Sequence, residues 1–240
     1  MDFKGYILSM TVEGGEAPSS YPFNIPCLQD LVNLDFHPSV TFFTGENGVG
    51  KSTLIESLAV NLGFNAEGGS KNFNFSTSLT HSDLHKYLRV TKGTKKMTDG
   101  YFLRSESFYN LATAIDGYDS QLLNAYGGIS LHQQSHGESF WSLFMNRFRG
   151  NGLYILDEPE SALSVTRQMA MISQIHKLVE KKSQFIIVTH SPILLSYPDA
   201  IIYEMSVEGL RKVEYEECEV FKIYKAFLNA PNMMLDRLLR

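Results

Sequence analysis

The segment Gly45-Glu46-Asn47-Gly48-Val49-Gly50-Lys51-Ser52 constrains this chain more than any other. It follows Val40-Thr41-Phe42-Phe43, an apolar run that reads as a buried strand. It opens a stretch in which Leu54, Ile55, Leu58 and Leu62 share one face, predicting a helix over 51–62. A G-x-x-x-x-G-K-S between strand and helix is the setting of a phosphate-binding loop. The glycines let backbone N–H groups turn toward an anion, and the helix N-terminus adds a favourable dipole. On this reading Gly45, Glu46, Asn47, Gly48, Val49, Gly50, Lys51, Ser52 and Thr53 cradle a nucleotide. Lys51 reaches the β- and γ-phosphates, and the Ser52 hydroxyl is a ligand for Mg²⁺.

Three further motifs follow in order. Leu153-Tyr154-Ile155-Leu156 reads as a strand and delivers Asp157-Glu158 at its end. A carboxylate held there binds Mg²⁺ through water, which suits Asp157. Glu158 points differently and suits polarisation of an attacking water. Phe185-Ile186-Ile187-Val188 is a second such run, with His190 two residues beyond it. A neutral imidazole there hydrogen-bonds a γ-phosphate or the attacking water. Ser135-His136-Gly137-Glu138 precedes Phe140, Trp141, Phe144, Met145 and Phe148, which recur at helical spacing as a core-facing stripe. Ser135 with the Gly137 N–H makes a second anion site at that helix start, and Glu138 is counted with them among the nucleotide-binding residues. Taken alone, the same pattern is a plain helix cap.

The remaining pattern predicts an α/β chain with a largely parallel sheet flanked by helices and an antiparallel N-terminal part. Residues 3–12 and 101–104 read as strands, and 106–115 as a helix. Ser164 caps a helix whose apolar face is Val165, Met169, Ile172, Ile175 and Val179; a last helix begins near Pro231. One domain over 1–240 is expected, with a less patterned insertion at about 64–100 carrying a strand or hairpin. A net charge of -5 gives no reason for nucleic-acid binding by the whole surface. Cys27 and Cys218 form no framework and read as packing residues in a reducing, cytoplasmic setting. The N-terminus shows no signal pattern, and the most apolar stretch, 185–203, is broken by His190, Pro192, Pro198 and Asp199, so no membrane span is expected.

The four motifs together resemble those of the ABC ATPases, and within them the soluble RecF/SMC-like branch. The resemblance spans 45–190, most of the chain. Residues 45–53 look like Walker A, 135–138 like the signature motif, and 153–158 like Walker B with its glutamate. Ser161-Ala162-Leu163 resembles the D-loop, and His190 the switch histidine. The runs 135–140, 156–160 and 189–195 are also similar to those of a group of small bacterial predicted AAA-type ATPases. The resemblance implies Mg²⁺-dependent ATP hydrolysis in a head-to-tail dimer that ATP holds together. Lys51, Ser52, Asp157, Glu158 and His190 would come from one copy, Ser135 and Gly137 from the other. The cycle would move an effector protein, in nucleic-acid processing or defence. The alternatives are a transporter's nucleotide-binding subunit and a slow ATP-sensing switch. His136-Gly137-Glu138 stands where transporters carry Gly-Gly-Gln, and no Q-loop glutamine follows residues 101–104; Glu106 stands near its place.

Smaller features have ordinary readings beside functional ones. Tyr21 and Phe36 are candidates to stack on adenine, or core aromatics. His81 with His85, and His132 with His136, have helical metal-ligand spacing without a third ligand near in sequence. Arg89, Lys92, Lys95 and Lys96 make a basic stretch that could touch nucleic acid or be a solvated loop.

Overall fold

Alternation of side chains along the apolar strands divides the core in two. Val40, Phe42, Tyr101, Leu103, Tyr154, Leu156, Phe185 and Ile187 enter one cluster. Their neighbours Phe43, Phe102, Leu153, Ile155, Ile186 and Val188 enter the other. Successive residues of a strand face opposite sides, so these strands are apolar throughout because both faces of their sheet are covered. The computed structural model describes residues 2–12, 21–29, 31, 33–71, 82–108, 113 and 133–240.

In chain order the described elements are β1 (Ile7–Val12), α1 (Pro26–Gln29), β2 (Leu34–Asp35), β3 (Val40–Gly45), α2 (Lys51–Asn61), β4 (Leu88–Lys92) and β5 (Asp99–Arg104). There follow α3 (His136–Arg147), β6 (Gly152–Asp157), α4 (Val165–Glu180), β7 (Gln184–Val188), α5 (Pro192–Leu195), β8 (Ile201–Ser206), β9 (Gly209–Val213), α6 (Glu219–Asn229) and α7 (Pro231–Leu238). The large sheet has the order β5-β6-β7-β3-β8-β9. Its first five members are parallel, and β9 returns antiparallel on β8. The small sheet β2-β1-β4 is antiparallel throughout. Both halves of the expected architecture are therefore present.

Helix α2 covers one face with Leu54, Ile55 and Leu58. Helices α3, α4 and α5 cover the other, through Phe140, Phe144, Met171, Ile175 and Leu194. The buried side chains of β7 each contribute roughly 1.5–3 kcal/mol on leaving water. Its first residue, Gln184, joins the two sheets. The Gln184 Oε1 accepts from the N–H groups of Tyr6 (2.8 Å) and Ile7 (3.0 Å), and Nε2 donates to the carbonyls of Ile7 and His37. At the edge strand β5, Gly69 exchanges two backbone hydrogen bonds with Phe102, of 2.7 and 3.0 Å.

Several expectations change. The strand expected over 3–12 starts at Ile7, after Gly5 turns the chain at a φ of 103°. The strand expected within 64–100 is β4, which among the described residues pairs with β1. Most of the helix expected over 106–115 lies outside the described residues, as do Asn72-Phe73-Asn74-Phe75. Helix α4 buries Met171, Ile175 and Leu178, while Val165 and Met169 are 60% and 52% exposed. Its apolar residues form a wide arc, and the sheet meets a different edge of that arc than the one chosen. Met145 likewise leaves the stripe of α3 and is exposed. Helix α6 was not anticipated. Among the described residues no helix is long and apolar enough to cross a membrane.

Candidate functional site

Register brings the motifs together. Leu103 lies opposite Leu156 and Arg104 opposite Asp157, Asp157 opposite Val188, and Val188 opposite Phe43. Four parallel strands thus end at one level, and the loops that follow them share one rim. This is where open α/β sheets bind ligands.

Gly45 ends β3 at a φ of 134°, and a Cβ there would lie 2.0 Å from the Met205 carbonyl oxygen. Only glycine permits that approach of the loop to β8. The loop then curls through Gly48 and Gly50, also at positive φ, into α2. Lys51 is buried and donates to the carbonyls of Gly45 (2.9 Å) and Glu46 (2.6 Å). Burial lowers its pKa, against the opposing pull of Glu158, Asp157 and Glu160. The Ser52 hydroxyl donates to Asp157 Oδ1 at 3.2 Å. Burial raises the Asp157 pKa to about 7, although Arg104 Nε lies 3.7 Å from its Oδ2. A buried carboxylate beside a hydroxyl is a hard-oxygen pair that a divalent cation would stabilise. No larger cluster of ligating side chains occurs among the described residues. Mg²⁺ fits such a sparse set, since it keeps waters and phosphate oxygens as its other ligands.

Glu158 adopts a left-handed conformation, φ 50° and ψ 53°, which turns it away from the strand that carries Asp157. Such a backbone costs of order 1–3 kcal/mol and is held by its surroundings. The Glu158 N–H donates to the Val188 carbonyl, and the Ser105 hydroxyl donates to the Glu158 carbonyl at 2.7 Å. Glu158 Oε1 lies 3.6 Å from His190 Nε2. Burial, and then the Lys51 charge, lower the His190 pKa, so the ring is neutral near pH 7. The His190 N–H donates to Glu160 Oε1, and the Thr189 N–H to the Phe43 carbonyl, which fixes the turn after β7.

A cleft of about 780 Å³ opens over this rim. Residues 46–53 line it with Tyr21, Ile25, Glu106, Glu158, Ser206 and Val207. Tyr21 is exposed, and its hydroxyl shares a 3.0 Å hydrogen bond with the Thr53 hydroxyl. Phe36 is 5% exposed within the core and does not reach the cleft. Glu106 is at the margin, bonded to Arg104 Nη2 at 3.2 Å. Cys27 and Cys218 are buried and free; the Cys27 thiol donates to the Val49 carbonyl. His81 and His132 lie outside the described residues. His85 accompanies the Ser82 carbonyl, and His136 lies edge-on to Phe108.

Ser135, Gly137 and Glu138 do not reach this cleft. Glu138 folds back on the start of α3 and accepts from the Ser135 N–H (3.1 Å) and hydroxyl (2.6 Å), a capping arrangement. Those bonds hold the Glu138 pKa below its ordinary value. A Cβ on Gly137 would lie 2.6 Å from the Ala162 carbonyl oxygen, so the turn packs on the segment that follows Glu158.

Two half-buried participants had no clear signal in the sequence. Arg104 donates to Glu56 at 2.7 Å and faces Asp157 and Glu106. Glu160 orients His190 from a half-buried position that raises its pKa. The Asp-Glu-Pro-Glu spacing hinted at Glu160. Nothing before the strand register pointed to Arg104.

This fold and rim define a P-loop nucleotide-binding domain. The AAA domain family model matches residues 23–188, and the chain belongs to that family. No curated protein matches the chain. Among solved structures, a nucleotide-free ATP-binding cassette from an ABC transporter is 17% identical over 91% of this chain and 98% of its own, with a TM-score of 0.52. CbiO1 from Clostridium perfringens, part of the ABC transporter complex cbiONQ, is 17% identical over 95% and 97%, with a TM-score of 0.51. The SMC head domain from Thermotoga maritima is 16% identical over 87% and 99%, with a TM-score of 0.43. At these identities the likeness to the two ATP-binding cassettes is one of fold.

Proposed function

We propose that the chain is a cytoplasmic single-domain ATPase whose complete site forms between two head-to-tail copies. The observation that carries this is the split of the motifs. Lys51, Ser52 and Glu158 line one cleft, with Asp157 behind Ser52 and His190 beside Glu158, whereas Ser135 and Gly137 lie on a separate surface. Among the described residues no hydrogen bond links 135–138 to the 45–52 loop. One copy thus offers half of the groups that would enclose a γ-phosphate.

In this reading the 45–52 backbone and Lys51 bind the phosphates, and Tyr21 and Ile25 flank the base. Ser52 and Asp157 hold Mg²⁺, which supplies charge neutralisation on the phosphate oxygens when bound. Glu158 takes a proton from the attacking water. His190, kept neutral and fixed through Glu160, positions that water and the γ-phosphate. Ser135 of the second copy leaves Glu138 and turns its hydroxyl to the nucleotide. ATP then joins the copies and hydrolysis parts them, a motion delivered to an effector protein. The exposed Arg89, Lys92, Lys95 and Lys96 on β4 and the turn after it favour a nucleic-acid surface near that effector.

Light scattering on Glu158→Gln, with and without ATP and Mg²⁺, tests the reading. Loss of the carboxylate stops hydrolysis, so a monomer that doubles in mass with ATP and Mg²⁺ is expected. A mass indifferent to ATP would remove the composite site.

A further inference from the structure

Helix α6 carries Val220, Ile223, Tyr224, Phe227 and Leu228 at helical spacing on one stripe. No residue of α6 is buried. Ile223, Tyr224 and Leu228 are 54%, 51% and 71% exposed. The first three residues of the stripe form one wall of a cleft of about 310 Å³, and the stripe runs on beyond it. The opposite wall is Thr44, Gly45, Glu46 and His190. This cleft is therefore separated from the nucleotide cleft by the start of the 45–52 loop.

Its polar groups have unmet capacity. Thr44 is 1% exposed, and its hydroxyl has no hydrogen-bond partner. Glu204, also on the wall, is fully engaged: it takes Arg211 on one oxygen and the Glu219 N–H on the other. Glu46 and Glu219 form no side-chain hydrogen bond or ion pair among the described residues, and both are exposed at the mouth. The cleft thus presents an apolar wall, an aromatic ring, two free carboxylates and one unmet hydroxyl. Its size is at the lower end of ligand pockets, which span roughly 300–1,000 Å³. An extended stripe with a small acidic pocket at one end suits a chain segment better than a free small molecule.

We infer that this surface docks a segment of the effector protein in which an arginine or lysine is flanked by apolar residues. The basic group enters between Glu46 and Glu219 beside Tyr224, and the apolar neighbours lie along Ile223, Phe227 and Leu228. The charge complementarity names the partner's chemistry, and the ring adds a cation–π contribution. The inference takes up the effector left open in the proposed function, yet it needs no nucleotide. Because His190 forms part of the wall, the docked segment and the phosphate end of the nucleotide cleft meet at one side chain.

The test selects random twelve-residue peptides displayed on phage against the full chain, with counter-selection on Ile223→Asp. Selected peptides are then titrated against wild type, Ile223→Asp and Glu219→Lys by fluorescence anisotropy. Enriched peptides with a basic residue between apolar ones, bound about tenfold or more weakly by each variant, are expected. Peptides lacking a basic residue, no enrichment, or equal affinity for all three proteins would overturn the inference. So would a wild-type dimer without ATP that Ile223→Asp turns into a monomer, since the stripe would then be covered by a second copy. Binding of a fluorescent ATP analogue to all three proteins serves as the control for folding. Its absence in wild type, with peptide selectivity intact, would refute the nucleotide reading and leave the docking surface standing.

Discussion

Gly137→Ala isolates the contact between the 135–138 turn and the segment after Glu158. The added methyl would sit 2.6 Å from the Ala162 carbonyl oxygen, roughly 0.8 Å short of ordinary contact, with Arg167 Nη1 at 3.4 Å. The neighbour is backbone, so rotating a side chain gives no relief. Overpacking of this kind costs about 1–3 kcal/mol. Alanine recovers part of that through helix propensity, at most about 1 kcal/mol in a helix interior and less at the second residue of α3. A net loss of about 1–2 kcal/mol remains, which lowers the Tm by roughly 2–8 °C for a chain of this size. Nucleotide affinity should be unchanged, because the 45–52 loop is untouched. Turnover should fall, because α3 and the turn bearing Glu158 are pushed apart. Thermal unfolding, binding of a fluorescent ATP analogue and phosphate release would be measured on the same preparation. An unchanged or raised Tm with full turnover would show that α3 moves aside freely and that the close approach has no mechanical role.

Two other substitutions probe the rim. Arg104→Met removes the partner of half-buried Glu56 and buried Asp157, and leaving these carboxylates uncompensated should cost up to about 3 kcal/mol at pH 8 in urea unfolding. The Asp157 pKa is already raised to about 7, so its carboxyl is largely protonated below that pH; the Asp157 share of the deficit should grow as pH rises through 7, and a deficit larger at pH 6 than at pH 8 would refute the pairing. Ser135→Arg removes the N-cap of α3 and should lower the Tm by a few degrees, yet leave ATP binding intact while abolishing the ATP-dependent gain in mass; a variant that binds ATP and still doubles in mass would free Ser135 of its role across the dimer.

The parts of the site that were legible in the sequence are those where an apolar run stops at a polar residue. Asp157 and His190 lie at or just past such stops, and the 45–52 loop joins one to a helix. Arg104 has the same position on β5, but a charged residue closing a strand is common. Its meaning depends on β5 lying next to β6 in register, which is a long-range fact. The apolar arc of α4 shows the limit of periodicity. Val165 and Met169 fit the same helical template as Met171 and Ile175, and only the placement of the sheet chooses between them. Phe36 and Tyr21 show it again, since an aromatic side chain reads alike whether it fills the core or faces a cleft.

The exchange between Gly69 and Phe102 bears on how this molecule behaves in company. Strand β5 is the last of its sheet, and a bare last strand is a template on which another chain can add. Here the outward N–H and C=O of Phe102, in the middle of the strand, are already taken. A foreign strand would have to break both bonds before it could pair. Growth of the large sheet from that edge is therefore blocked, and a second copy that approaches there meets loops and side chains rather than open backbone.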